Sequence, residues 1–197
     1  MNKRGLHMLL PWLKRACRRA ASAGAMTLVV VCCAVAGIPL RPVWASDLEN
    51  KVKSAYIYNF TKFVDWPEGE GGTGREPLRI CIVGNDPIRT VLGELSNREA
   101  NGRPLLVQRI KDLKTVGTCS VAFISRSEEQ QLPSILQRLN GVRTLTVSDI
   151  PQFAQKGGMI GFVTEGGRVK LEINLRAIRQ TGLKVSAKLL EVARVVE

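Results

Sequence analysis

"CSVAFIS", residues Cys119 to Ser125, is apolar at nearly every position. A strand with one wet face alternates apolar and polar residues, whereas one buried on both faces does not. The stretch therefore predicts a central strand in a sheet covered on both sides. Upstream, "LRICIVG" (Leu78–Gly84) reads the same way, and "NDP" turns it into a helix near Ile88–Leu95. "RPLLVQRI" is a further strand, reached past "NREANG". Downstream, Ser127 opens a helix with Leu132, Ile135, Leu136 and Leu139 on its inner side. "TLTVS" follows as a strand and "DIPQFAQKG" as a short helical turn. Strands separated by helices at this spacing predict a parallel sheet with right-handed crossovers.

The pattern then changes. "GMIGFV" and "RVKLEIN" are joined only by "TEGG", which is too short for a crossover and predicts an antiparallel hairpin. In "RVKLEIN", Val169, Leu171 and Ile173 alternate with Lys170, Glu172 and Asn174, so one face is expected to be buried and the other wet. A closing helix is expected near Ser186–Val196, with Val185, Leu189, Val192, Ala193 and Val196 apolar. The predicted fold is a single α/β domain. It has a mostly parallel sheet, flanking helices, and a C-terminal antiparallel hairpin plus helix.

At the other end, residues 1–45 do not read as part of that domain. Lys3, Arg4, Lys14, Arg15, Arg18 and Arg19 precede an uncharged run from Ala20 to Ile38, then "PLRPVWAS". Val43 and Ala45 occupy the −3 and −1 positions of a small-residue cleavage site, so residues 1–45 are expected to be a signal peptide cleaved after Ala45. An uncleaved anchor is the alternative. Either reading exports residues 46–197. Without residues 1–45 the net charge falls from +12 to +5. With its basic residues scattered, that is no nucleic-acid footprint. The only histidine, His7, also leaves. Its loss excludes Ser-His-Asp and Cys-His catalysis and histidine-ligated metals in the exported chain. No cofactor is implied.

"YIYNFTKFVDWP", Tyr56–Pro67, is rich in aromatics within a helix expected over residues 47–65, capped by Asp47 and stopped by Pro67. Leu48, Val52, Tyr56, Phe60 and Phe63 form one stripe at helical spacing and are expected in the core. Tyr58 and Trp66 fall off it and are candidates for a partner contact. The glycines of "EGEGGTGRE" follow no strand and precede no GK[ST], so they read as a connection and not a phosphate loop. Asp86 and Asp149 follow strands, where open α/β sheets hold ligands, but both are also placed to cap helices. Cys81 and Cys119 fall on strands that neighbour each other in a 2-1-3 order. A disulfide and two separate buried thiols both remain open.

Taken together, "KSAYIYNFTKFVDWP", "LRICIVGNDP", "CSVAFIS", "LTVSD" with Phe153, "GGMIGFV" and "VKLEINLRAIRQTGLKVSAKLLEVA" resemble, in order and spacing, the YfiR family of periplasmic proteins. The resemblance covers about Lys51 to Val196. It implies an exported α/β regulator that is not an enzyme and tends to dimerise. Such a regulator binds the periplasmic sensor domain of an inner-membrane diguanylate cyclase of the YfiN type. It would hold the cyclase inactive, lowering cyclic di-GMP and biofilm formation. An OmpA-like outer-membrane lipoprotein of the YfiB type would relieve the inhibition. Cys81 and Cys119 fall at the positions of the family's bridging pair, and the family's later second bridge has no counterpart here. The alternative is a periplasmic small-molecule-binding protein using the crevice beyond Gly84. For the partner contact, Glu172 and Asn174 on the expected wet face, and Ile178 after it as an apolar anchor, join Tyr58 and Trp66.

Overall fold

Eight strands form one sheet in the order β10-β8-β7-β6-β5-β2-β4-β3. The computed structural model describes residues 43–66 and 76–196. The expected signal segment up to residue 42, the Pro67 stop and the glycine-rich stretch to Arg75 lie outside them. The elements are α1 (Val43–Phe63), β1 (Val64–Asp65), β2 (Leu78–Val83), α2 (Ile88–Gly93), β3 (Glu99–Ala100), β4 (Arg103–Ile110) and β5 (Val121–Ile124). They continue with α3 (Leu132–Leu139), β6 (Leu145–Ser148), β7 (Ile160–Glu165), β8 (Arg168–Asn174), α4 (Leu175–Arg179), β9 (Lys184–Val185), α5 (Ala187–Glu191) and β10 (Ala193–Val196).

β4, β2, β5, β6 and β7 run parallel, and β7–β8 is the antiparallel hairpin. Chain order turns back between β2 and β5, which is the switch point of a doubly wound sheet. β5 and β6 are buried at every residue, and β2 at all but Arg79. One face is covered by α1, α2, α4 and α5, through Ile57, Phe60, Ile88, Leu92, Ile178 and Leu189. The other is covered by α3, through Leu132, Ile135 and Leu139.

Several local expectations shift. α1 begins before Asp47, so Asp47 is an internal residue paired with Lys51 instead of a cap. The helix ends at Phe63, because Val64 and Asp65 pair antiparallel with β9. Its buried face carries Lys53, Ser54, Ile57, Phe60 and Thr61, and Leu48 is 65% exposed. That face lies about one residue round the helix from the apolar stripe, since polar Lys53, Ser54 and Thr61 are buried with their partners. A 3-10 segment over Arg126–Gln131 precedes α3, and Ser125 caps that segment, its side chain accepting from the Ser127 N–H. The expected closing helix covers only Ala187–Glu191. After it, β10 pairs parallel with β8, Val195 opposite Ile173. The β-branched Val195–Val196 favours a strand, and pairing covers an edge of β8 that would otherwise be open.

Candidate functional site

The carboxyl-terminal rim of the parallel strands is where such sheets hold ligands. At the switch point β2 ends in Gly84-Asn85-Asp86 and β5 in Ser125-Arg126-Ser127. Ser125 Oγ donates to the Asn85 carbonyl at 2.9 Å and lies 3.2 Å from Asp86 Oδ2. The Asn85 N–H donates to Ser127 Oγ at 3.0 Å. Gly84 has φ +90°, and a Cβ there would lie 2.5 Å from Ser127 Oγ and 2.6 Å from Glu128 Oε1. The crevice expected beyond Gly84 is thus filled by the chain's own side chains. Glycine is favoured there because a φ of +90° strains any residue with a Cβ, and a Cβ would also displace the Ser127 and Glu128 side chains. Asp86 does cap: its Oδ1 accepts from the Ile88 N–H at 2.9 Å.

Asp149, on the same rim, acts otherwise. Its Oδ2 accepts from Lys53 Nζ at 2.7 Å, and the two side chains are 15% and 5% exposed. Lys53 also reaches Glu49 Oε1 at 2.7 Å, while Arg126 donates to the Asp149 carbonyl at 2.7 Å. Burial alone would push the Lys53 ammonium down. Its hydrogen bonds to Asp149 and Glu49 outweigh that and hold its pKa above the ordinary lysine value. Asp149 Oδ1 is buried without a partner among the described residues. A carboxylate already committed to an ammonium is a poor general base, and Asp86 is committed to a cap. The rim therefore offers a clamp between α1 and β6, not a pair of free carboxylates. Among the described residues no group of His, Cys, Asp and Glu could hold a metal ion.

Cys81 and Cys119 form a disulfide across β2 and the residues leading into β5, with Cα atoms 5.9 Å apart. Cys119 itself precedes the strand, closing a 3-10 segment. Both sulfurs lie under α3 in the second core layer.

The residues expected to meet a partner separate into two groups. Glu172 is 4% exposed rather than wet: Gln155 Nε2 donates to its Oε2 at 2.9 Å and Arg194 to its Oε1. Strand β10 carries that arginine, and its presence beside β8 was not legible from the alternation. Asn174 caps α4, its Oδ1 accepting from the Ala177 N–H at 2.9 Å, and its amide donates to the Ala154 carbonyl. Ile178 is buried in the main core. The wet-face expectation holds for Lys170, which is exposed, and fails for Glu172, which is buried; Asn174 is half-buried, and Ile178, expected as an apolar anchor, lies inside the fold. Tyr58 and Trp66 sit at the surface rim. Tyr58 donates to the Glu99 carbonyl at 3.2 Å under the Lys62 ammonium, 4.3 Å from its ring centre, with Arg98 at 5.7 Å. Trp66 Nε1 donates to the Ser120 carbonyl at 3.1 Å. Ring centres 6.1–6.3 Å apart join Tyr56, Phe60 and Phe162, with Phe60 in the core and Tyr56 half-buried against it.

Residues 50–194 match the family model described as YfiR/HmsC-like. Among solved structures, the chain described as the ABC domain in complex with L-Trp from Streptococcus pneumonia is similar at 9% identity and a TM-score of 0.45. That likeness covers 60% of this chain and 56% of that one, and is too slight to transfer its ligand.

Proposed function

Since the chain belongs to the YfiR/HmsC-like family, we propose that it inhibits an inner-membrane diguanylate cyclase by binding the cyclase's periplasmic sensor domain. The family is one of periplasmic regulators in cyclic di-GMP signalling, which act through partner proteins and not by catalysis. The match over residues 50–194 carries the reading, because it takes in nearly all the described chain. The filled crevice supports it further: with Ser125, Ser127 and Glu128 closing the rim, the crevice beyond Gly84 leaves no room for the small ligand of the alternative reading.

In this reading the signal peptide is cleaved after Ala45, residues 46–197 act as one domain, and the chain works as a homodimer. A YfiB-type lipoprotein relieves the inhibition. The contact with the cyclase is assigned to the surface at Tyr58, where Lys62 and Arg98 lie against the ring and add positive charge, and to Trp66. Such a surface suits a partner face carrying carboxylates. The experiment is direct binding between the exported chain and the purified periplasmic domain of the diguanylate cyclase from the same cell. Cyclic di-GMP is measured in cells with and without the gene. Binding together with raised cyclic di-GMP on deletion is expected. An absence of both would overturn the reading.

A further inference from the structure

Away from the rim, a cavity of about 200 Å³ opens between α3, the approach to β7, and α4. Both helices bring their C-terminal ends to it. Gln137 and Asn140 come from the end of α3, and Gln180 lies just past the end of α4. Helix C-termini present carbonyl acceptors and partial negative charge, so they favour hydroxyl donors over anions. Thr146 of β6 lines the cavity and is 2% exposed; its Oγ1 accepts from the Met159 N–H at 3.0 Å. The Thr146 hydroxyl hydrogen has no acceptor among the described residues, and the side-chain amides of Gln137, Asn140 and Gln180 have no partner there either. A buried hydroxyl with an unused donor is a deficit that a bound group would remove.

The described lining contains no ionisable side chain and no aromatic ring. An ionic ligand would be desolvated without a counter-charge, and a flat aromatic ligand would find nothing to stack on. The volume lies below the roughly 300–1,000 Å³ of pockets for drug-sized molecules. Leu136 and Met159 leave one apolar wall. We propose that this cavity binds an uncharged, hydroxyl-rich molecule of monosaccharide size. Its hydroxyls would accept from Thr146 and the amides and donate to the amide oxygens, and to helix-end carbonyls that already accept one backbone N–H, such as those of Gln137 and Leu139. The site is remote from Tyr58 and Trp66 in the lining residues it uses, so it stands whether or not the cyclase is the partner.

The test is amide NMR of the exported chain titrated separately with D-glucose, D-galactose and myo-inositol, with D-glucuronate as the charged comparison. At least one neutral probe is expected to give saturable shifts confined to residues 136–141, Thr146, residues 157–159 and residues 177–181. D-glucuronate should bind about tenfold more weakly or worse. Ala177 lines the cavity, so Ala177→Met should fill it and weaken the neutral probe by about tenfold or more with an unchanged melting temperature. If that variant does not fold, Asn140→Ala, at an exposed position, should weaken the probe instead. No saturable shift with any neutral probe up to about 50 mM would overturn the proposal. So would shifts located elsewhere, equal binding of D-glucuronate, or undiminished binding by the folded variant.

Discussion

Replacing Lys53 with Met removes one ammonium and keeps most of the side chain's volume. In the native fold that ammonium sits 2.7 Å from Asp149 Oδ2, with side chains 5% and 15% exposed. At an effective dielectric of about 20 the attraction at this distance is about 6 kcal/mol, most of it offset by desolvating both ions. The measured loss is set by what truncation leaves behind. Asp149 Oδ1 already lacks a partner among the described residues, and Oδ2 would keep only the Arg126 guanidinium at 4.0 Å, whose side chain is exposed. Breaking a buried pair from one side costs about 3–5 kcal/mol. The residual exposure of Asp149 puts Lys53→Met at the low end, about 3 kcal/mol. Glu49, 35% exposed, is screened by solvent and adds little. Urea unfolding followed by circular dichroism at pH 7 measures the difference. The double variant Lys53→Met/Asp149→Leu should recover most of it, because no charge is then stranded. A loss under about 1 kcal/mol for Lys53→Met, or a double variant less stable than the single one, would refute the clamp. The sign with pH follows from the raised Lys53 pKa. Its contribution is complete below the ordinary lysine value of 10.5 and is lost as pH rises through the higher folded value. Wild type should therefore lose more stability than Lys53→Met between pH 9 and strong alkali.

Cys81→Ser opens a disulfide whose cysteines are 38 residues apart and should cost about 4 kcal/mol in the chain-entropy model; a fall in melting temperature checks it, and non-reducing peptide mapping of wild type should recover the pair as one cross-linked species. Lys62→Glu with Arg98→Glu, both at exposed positions, should leave the circular dichroism spectrum unchanged and weaken capture of the cyclase's periplasmic domain by about tenfold; unchanged capture would move the contact away from Tyr58. Mass spectrometry of the exported protein should give an N-terminus at Ser46, and recovery of uncleaved chain from membranes would contradict it.

The central architecture was legible because its signals are redundant. "LRICIVG" and "CSVAFIS" are apolar at nearly every position, and the four-residue "TEGG" admits only a hairpin. The 2-1-3 order that would make Cys81 and Cys119 neighbours was not fixed by these signals; the structure has it, with β2 between β4 and β5 and the two cysteines bridged. The periphery was less legible because its stability comes from paired polar groups, which periodicity scores as surface. Lys53 is the clearest case. A stripe built from apolar residues alone ran through Leu48, which is exposed, and left out the buried Lys53. Its actual partner, Asp149, lies 96 residues away, beyond the range of any local pattern.

Glu172 fails in the same way, and the reason bears on where a partner could dock. Alternation in "RVKLEIN" correctly puts Glu172 on the face opposite Leu171, but it cannot show what covers that face. Two later choices do: Gln155 approaches from the turn after β6, and the chain's last valines form β10 instead of extending a helix, bringing Arg194 alongside. Once the pair is made, Glu172 has no charge to offer an external surface, and Ile178, in the core, could reach one only by unfolding α4. A substitution such as Ile178→Asp would bury a charge in the core and destroy the fold along with any contact it was meant to probe. The side chains left for recognition are those whose bonds are completed from beneath while their outer surfaces stay accessible. Tyr58 meets that condition. Its hydroxyl is anchored to Glu99, and Lys62 and Arg98 lie close against its ring. This fixed orientation would spare a partner much of the ordering entropy that limits flexible surfaces.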